Sequence, residues 1–221
     1  MHHMGKKHTH TEGGEKKYLP HLIAWEITRS CNLNCVHCRA AAQYGPYEGE
    51  LSTEECKRLL DNIASFSSPI IILTGGEPLL RKDIFEIAQY GTNLGLRMVM
   101  AVNGLLITDE IAKRMKEVGI QRVSISIDGA TKESHDNFRK VDGAFEGALR
   151  GIEILKKNGI EFQINTTITK RNLEELPKIL NLAIELGAVA YHPFLLVPTG
   201  RGKELASEAL TAQEYEKVLE W

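Results

Sequence analysis

Leu22-Ile-Ala-Trp-Glu-Ile-Thr-Arg-Ser-Cys31-Asn-Leu-Asn-Cys35-Val-His-Cys38 opens with an apolar, partly β-branched run of strand type and closes in a polar loop bearing three cysteines. The run Leu22–Ile27 is the first of six that share one plan: a short strand, a loop, then an amphipathic helix. The other strand candidates are Ile70–Leu73, Arg97–Val102, Arg122–Ile127, Phe162–Thr167 and Ala190–Leu196, with helices expected near 52–65, 82–94, 108–118, 143–158, 173–186 and 211–221. Ser52-x-x-Glu55 and Thr211-x-x-Glu214 match the reciprocal capping box at a helix start. Asp109 and Glu110 put acid in a first turn, and Gly95, Gly119, Gly159 and Gly187 stand where left-handed caps belong. Strand–helix alternation implies a parallel sheet with right-handed crossovers. Six units suit a partial (βα)6 TIM-like barrel better than a closed eight-fold one.

In barrels of this kind reactive groups gather at the C-terminal ends of the strands. Cys31–Cys38 follow strand 1 and Thr74-Gly75-Gly76-Glu77-Pro78 follow strand 2. Asn103-Gly104, Ser126-Ile-Asp128-Gly129, Asn165-Thr166-Thr167 and His192-Pro193 end strands 3 to 6. Every unusual polar cluster thus falls on one rim.

The cysteine spacing is C-x3-C-x2-C. A structural zinc site wants four closed ligands, usually from two knuckles, and the second knuckle is missing. Cys56 sits in the first helix, where a small buried hydrophobe is expected, and His37 should point away from any metal. Ferredoxin loops use C-x2-C-x2-C with a further cysteine. Three thiolates, Cys31, Cys35 and Cys38, holding a [4Fe–4S] cluster with one iron left open account for the whole pattern; a zinc-structured scaffold and a non-catalytic iron–sulfur electron-transfer module stay open as alternatives. Gly75 and Gly76 allow a backbone to approach a ligand closely, Pro78 sets the turn, and Glu77 with the neighbouring carbonyls offers acceptors for an ammonium group.

The chain has 221 residues, 27 Lys and Arg against 29 Asp and Glu, and a net charge of -2. Such a balance gives no electrostatic footing for nucleic acid or an anionic membrane surface. No apolar run approaches a membrane span, and no signal-peptide core precedes the first strand. Neither a G-x4-G-K-[ST] nor a G-x-G-x-x-G motif occurs. Three cysteines packed into one loop suggest metal or redox chemistry in a reducing, cytoplasmic setting. Residues 1–17, with His2, His3, His8 and His10, lack apolar periodicity and are expected to be a disordered tail. Residues 18–221 would form the core domain, ending in a helix whose apolar pattern is still running at Trp221, as in a cut or fragmentary sequence.

C-x3-C-x2-C after strand 1 with Gly75-Gly76-Glu77-Pro78 after strand 2 resembles the radical S-adenosylmethionine superfamily, over residues 22–221. The resemblance implies that Cys31, Cys35 and Cys38 ligate the cluster and that S-adenosylmethionine chelates its open iron. One electron then cleaves the sulfonium to methionine and a 5′-deoxyadenosyl radical. It further implies that Gly75, Gly76, Glu77 and Pro78 form the segment that binds the methionine amine. Ser126 and Arg139 would meet the ribose and carboxylate, and Asn103 and Thr166 would line the same pocket. An external one-electron donor such as flavodoxin or ferredoxin is implied as partner.

Leu22–Cys31, Phe162–Thr167 and Phe194-Leu-Leu-Val-Pro-Thr-Gly-Arg201 are similar to the haem-synthase group of the sirohaem-dependent haem pathway, which decarboxylates iron-coproporphyrin III propionates to vinyls. On that resemblance the substrate is a polyanionic tetrapyrrole, and Arg29, Arg39, His192 and above all Arg201 become expected propionate contacts. The didecarboxysirohaem deacetylase, haem d1 maturation and peptide maturases with a further cysteine-bearing region are the neighbouring possibilities. The chain lacks the additional cysteines that relatives of this kind carry in a C-terminal auxiliary-cluster region.

Overall fold

A computed structural model describes residues 18–220; the His-rich stretch 1–17 and Trp221 lie outside the described residues. Six strands, β1 (Leu22–Thr28), β2 (Ile70–Gly75), β3 (Arg97–Val102), β4 (Val123–Ser126), β5 (Phe162–Ile168) and β6 (Tyr191–Leu195), form one sheet in chain order. All five neighbouring pairs are parallel, and β1 and β6 remain edges. The sheet is therefore an open half-barrel, the expected partial (βα)6 form. Helices α1 (Thr53–Phe66), α2 (Ile84–Asn93), α3 (Asp109–Glu117), α4 (Lys132–Arg139), α5 (Ala144–Lys157), α6 (Leu176–Leu186) and α7 (Ala212–Glu220) make the crossovers and the C-terminal end. Among the described residues no helix is long and apolar enough to cross a membrane.

The core lies between the helices and one face of the sheet. Leu73, Met100, Val123 and Phe162 are register partners in one row across β2–β5, and all are buried. Against them pack Leu60 of α1, Ile87 of α2, Met115 of α3, Ile152 of α5 and Ile179 of α6. Fully burying one such side chain contributes about 1.5–3 kcal/mol, so this layer dominates the stability. Because side chains alternate along a strand, the residues between them face the concave side. That side is more polar: Ser124, Ser126, Gln163, Asn165 and Thr167 stand on it.

Both capping boxes form. The Ser52 hydroxyl accepts from Glu55 N while the Glu55 carboxylate accepts from Ser52 N, and Thr211 and Glu214 repeat the arrangement. Gly95, Gly119, Gly159 and Gly187 all have φ between 67° and 84°, as their C-terminal placement requires. One helix is absent from the sequence expectation. Lys132–Arg139 is α4, started by the Thr131 hydroxyl accepting from Ser134 N and closed by left-handed Lys140. Its buried face is His135, Asp136, Phe138 and Arg139, so the usual apolar stripe is missing. Helix 173–186 is split: Leu173–Glu175 is a 3-10 turn, and Pro177 in the first turn marks the start of α6.

Candidate functional site

The cysteine loop has no regular structure and is held from two sides. On one side Asn34 N and Val36 N donate to the carbonyls of Arg139 (3.3 Å) and Phe138 (3.0 Å) at the end of α4. On the other, Cys31 N donates to Gln43 O at 3.0 Å, closing the loop on itself. Two thiols accept backbone N–H groups: Leu33 N on Cys31 Sγ and Ala42 N on Cys38 Sγ, each at 3.4 Å. Arg139 Nη1 reaches Cys35 Sγ at 3.5 Å. Such donors favour thiolate over thiol and set the potential of an iron–sulfur cluster. Burial pushes the Cys31 thiol up to about 11 despite the Leu33 N–H, and burial raises Cys35 as well, against the pull of Arg139. Binding a cluster here therefore displaces thiol protons. Among the described residues no three His, Cys, Asp or Glu side chains converge as one metal ion requires. Cys56 is fully buried under α1, as expected of a small hydrophobe.

The glycine turn packs against this loop. Gly76 N donates to Thr28 O at 2.7 Å and Glu77 N to Ser30 O at 2.8 Å. A Cβ on Gly76 would lie 2.1 Å from Ser30 O, and one on Gly75, at φ 127°, 2.2 Å from Thr28 O. Only glycine lets the rim of β2 come this close to the start of the cysteine loop. Gly76→Ala should destabilise the protein by about 2–4 kcal/mol, because backbone cannot yield as a side chain can. Gly95→Ala, where φ is 79° and nothing lies within 4 Å, should cost about 1–2 kcal/mol from the left-handed backbone alone. Urea denaturation of the two variants measures the contrast.

Glu77 is fully buried beneath the turn; its carboxylate accepts from Leu79 N at 3.1 Å and Asn103 N at 2.8 Å. Burial pushes it up to about 7, with those two N–H groups opposing, so a cation brought beside it would restore its charge. Asn103 continues the link: its Nδ2 donates to Asn32 Oδ1 at 2.7 Å and its Oδ1 accepts from Leu105 N. Buried Pro78 starts the 3-10 turn Pro78–Leu80. Cysteine loop, glycine turn and β3 rim are thus one hydrogen-bonded unit.

Behind Cys35 lies a buried charged cluster that the sequence did not disclose. Arg139 Nη2 pairs with Asp128 Oδ2 at 2.5 Å, and Asp128 Oδ1 accepts from Thr167 N at 2.8 Å. Burial would raise Asp128, but Arg139, His37 and His135 hold its carboxyl below the usual range. Burial lowers both His37 and His135 to about 4, so both are neutral near pH 7. His135 Nδ1 accepts from Asp128 N at 3.1 Å. His37 lies with its ring on Phe138 (4.8 Å between centroids) and its Nε2 3.9 Å from Asp128 Oδ2. Asp128 stood in a recognised rim motif; only its pairing was invisible.

Several expected contacts are placed differently. Thr166 is fully buried and donates to Ile127 O at 2.6 Å. It shares the helix-facing side of β5 with Phe162 and Ile164, so the expectation that it lines the cofactor pocket is corrected: Asn165 and Thr167 hold the concave side. The alternation in Phe162–Thr167 carries that signal. Arg201, expected to meet a propionate, turns its guanidinium to the cysteine loop: its Nε and Nη1 donate to Cys35 O (2.8 Å) and Ala42 O (2.6 Å). Arg29 donates to Ala40 O and covers the Tyr47 ring, while Arg39 pairs with Glu26. Ser126, Asn165 and exposed His192 are register neighbours across β4, β5 and β6, one polar row on the concave rim. An open groove of about 740 Å³, lined by Trp25, Glu26, Arg39, Leu59 and Phe66, runs along the β1 edge.

The site's residues fit an iron–sulfur cluster with an organic ligand. Three thiols carry preset donors, the glycine cradle would be filled by any Cβ, and Arg139 Nε is a buried donor with no partner among the described residues. The chain is 58% identical over 202 residues to the AdoMet-dependent heme synthase of Methanosarcina barkeri, covering 91% of this chain and 57% of that protein. It is 43% identical over 199 residues to the Fe-coproporphyrin III synthase of the same organism, covering 90% of this chain and 50% of that one. The chain therefore spans about half the length of these curated relatives. The half-barrel matches that of Streptococcus suis SuiB bound to precursor peptide SuiA with a TM-score of 0.77 at 16% identity, over 91% of this chain and 46% of that one. Residues 25–183, from the middle of β1 through most of α6, match the Radical SAM superfamily, and the chain belongs to that family.

Proposed function

We propose that the chain is the radical-generating core of a haem-forming enzyme that oxidatively decarboxylates iron-coproporphyrin III propionates to vinyls, using a [4Fe–4S] cluster and S-adenosylmethionine. The observation that carries this reading is the 58% identity to a protein named AdoMet-dependent heme synthase, over a stretch that includes the cysteine loop and the glycine turn. What the bound groups supply is one electron to the sulfonium, which leaves a 5′-deoxyadenosyl radical able to take hydrogen from a propionate carbon.

The chain's own part is to bind, orient and exclude water. Cys31, Cys35 and Cys38 would hold the cluster through three thiolates, which would leave it open to the amino acid end of S-adenosylmethionine. Gly75 and Gly76 bring backbone within reach of its ammonium, with Glu77 beneath as the counter-charge. Ser126, on the concave row, is the candidate for the ribose. Arg139, with its free Nε and fixed fork, is the candidate for the carboxylate. Asn103 acts through Asn32 and Glu77 rather than on the ligand. His192 is the exposed basic group of the concave row and our candidate for a propionate. The substrate is then a small tetrapyrrole, not a nucleic acid or a membrane, with a flavodoxin- or ferredoxin-like electron donor. Four free cysteines suit a reducing cytoplasm.

Anaerobically reconstituted, reduced protein should give an EPR signal that changes on adding S-adenosylmethionine, with 5′-deoxyadenosine as product. With iron-coproporphyrin III and an external one-electron acceptor, each turnover should remove carbon dioxide and two hydrogens from one propionate: a hydrogen atom to the 5′-deoxyadenosyl radical, a proton to solvent and an electron to the acceptor. A spectrum indifferent to S-adenosylmethionine sinks the radical reading. Formation of 5′-deoxyadenosine without mass loss from this porphyrin sinks the decarboxylation alone; loss of acetate from didecarboxysirohaem would then favour the activity class of the 43% identical relative.

A further inference from the structure

Beyond β6 the chain turns back across the sheet and ends its return at the cysteine loop. Gly200, at φ 56°, is packed so closely that a Cβ would lie 2.2 Å from Arg39 O and 2.4 Å from Cys38 O. The next residue places three donors on three carbonyls of the loop: Arg201 N on Cys38 O (3.0 Å), Nε on Cys35 O (2.8 Å) and Nη1 on Ala42 O (2.6 Å). The far end of the same 3-10 segment, Gly200–Glu208, is tied to the turn after β5. There Lys170 N donates to Glu208 O at 2.9 Å, Arg171 pairs with Glu208, and Leu205 is buried between the two anchors. The segment is thus a strap fixed at both ends.

We propose that Arg201 is a positioning residue of the cluster: its guanidinium ties the Cys35 carbonyl to that of Ala42 and so fixes both ends of the stretch that carries Cys35 and Cys38, and it adds a positive charge that raises the cluster's potential. The inference rests on the reading of Cys31, Cys35 and Cys38 as cluster ligands. A loop without helix or strand has few bonds of its own to set ligand spacing, and a planar fork can span two carbonyls where an ammonium holds one. Charge-assisted hydrogen bonds of this kind are about twice as strong as neutral ones. Outer partners of metal ligands change affinity by roughly 10–100-fold when removed, and nearby charge shifts cluster potentials.

The test compares wild type, Arg201→Met and Arg201→Lys, each reconstituted anaerobically without S-adenosylmethionine. Iron and sulfide content, the rate of iron loss to a chelator, the midpoint potential and the melting of the apo form are read. Arg201→Met should melt close to wild type as apo protein, lose iron roughly 10–100-fold faster and show a more negative potential. Arg201→Lys, which keeps the charge, should lose iron faster with a smaller shift of potential. If Arg201→Met unfolds, Arg201→Lys carries the comparison alone. Wild-type rates and potentials in the folded variants overturn the proposal. A wild-type protein that takes up no iron or sulfide overturns instead the reading of the cysteine loop beneath it.

Discussion

Substituting Ala for Cys31, Cys35 or Cys38, one at a time, is expected to abolish uptake of iron and sulfide, while Ala in place of Cys56 should leave it intact. Each loop thiol already has its own donor, from Leu33 N, Arg139 Nη1 or Ala42 N, so no neighbouring group can replace a lost sulfur. Cys56 sits against Leu51 O and Arg81 under α1, remote from the thiols in sequence and role. Its removal should cost about 1 kcal/mol of packing. Iron and sulfide analysis of the four reconstituted variants checks this directly; cluster formation in any of the three loop variants would contradict the ligand set.

Asp128→Asn is expected to destabilise the protein by about 3–5 kcal/mol, because it leaves the Arg139 guanidinium buried without its counter-charge. Burial disfavours the charge on Arg139, but Asp128 and Cys35 hold it protonated. Removing the acid therefore cannot be relieved by losing a proton, as a lysine could manage. Arg139→Met should cost a similar amount by stranding Asp128. The double variant should be less destabilised than the sum, since replacing both partners of a buried pair removes the uncompensated charge. Urea denaturation of the four proteins closes the cycle, and additive losses would show that the pair does not act as a unit. The same variants also test Cys35, which loses its side-chain donor when Arg139 goes.

The strands, five of the six expected helices in nearly their full extent, and both capping boxes were legible because they depend on local period and residue type. The cysteine loop and the Gly75–Glu77 turn were legible for the same reason: the chemistry is written in consecutive residues. Helix α4 was not, since its inward face is His135, Asp136, Phe138 and Arg139, and a polar face gives no hydrophobic period. Thr166 was misplaced although the alternation along β5 could have sorted it from Thr167. Arg201 was read as a rim cation for a substrate, and nothing near it in the chain says otherwise.

Local pattern was enough for the half-barrel, for the three thiols and for the glycines that make room beside them. Packing alone decided which polar groups stay open to a ligand. Arg139 meets Cys35 across 104 residues, and Arg201 meets it across 166. A guanidinium carried toward the interior must find acceptors or lose far more in desolvation than it can regain. Those acceptors come from loops that only the folded βα order brings together, so the same arginines that look free in the sequence become the supports of the cysteine loop.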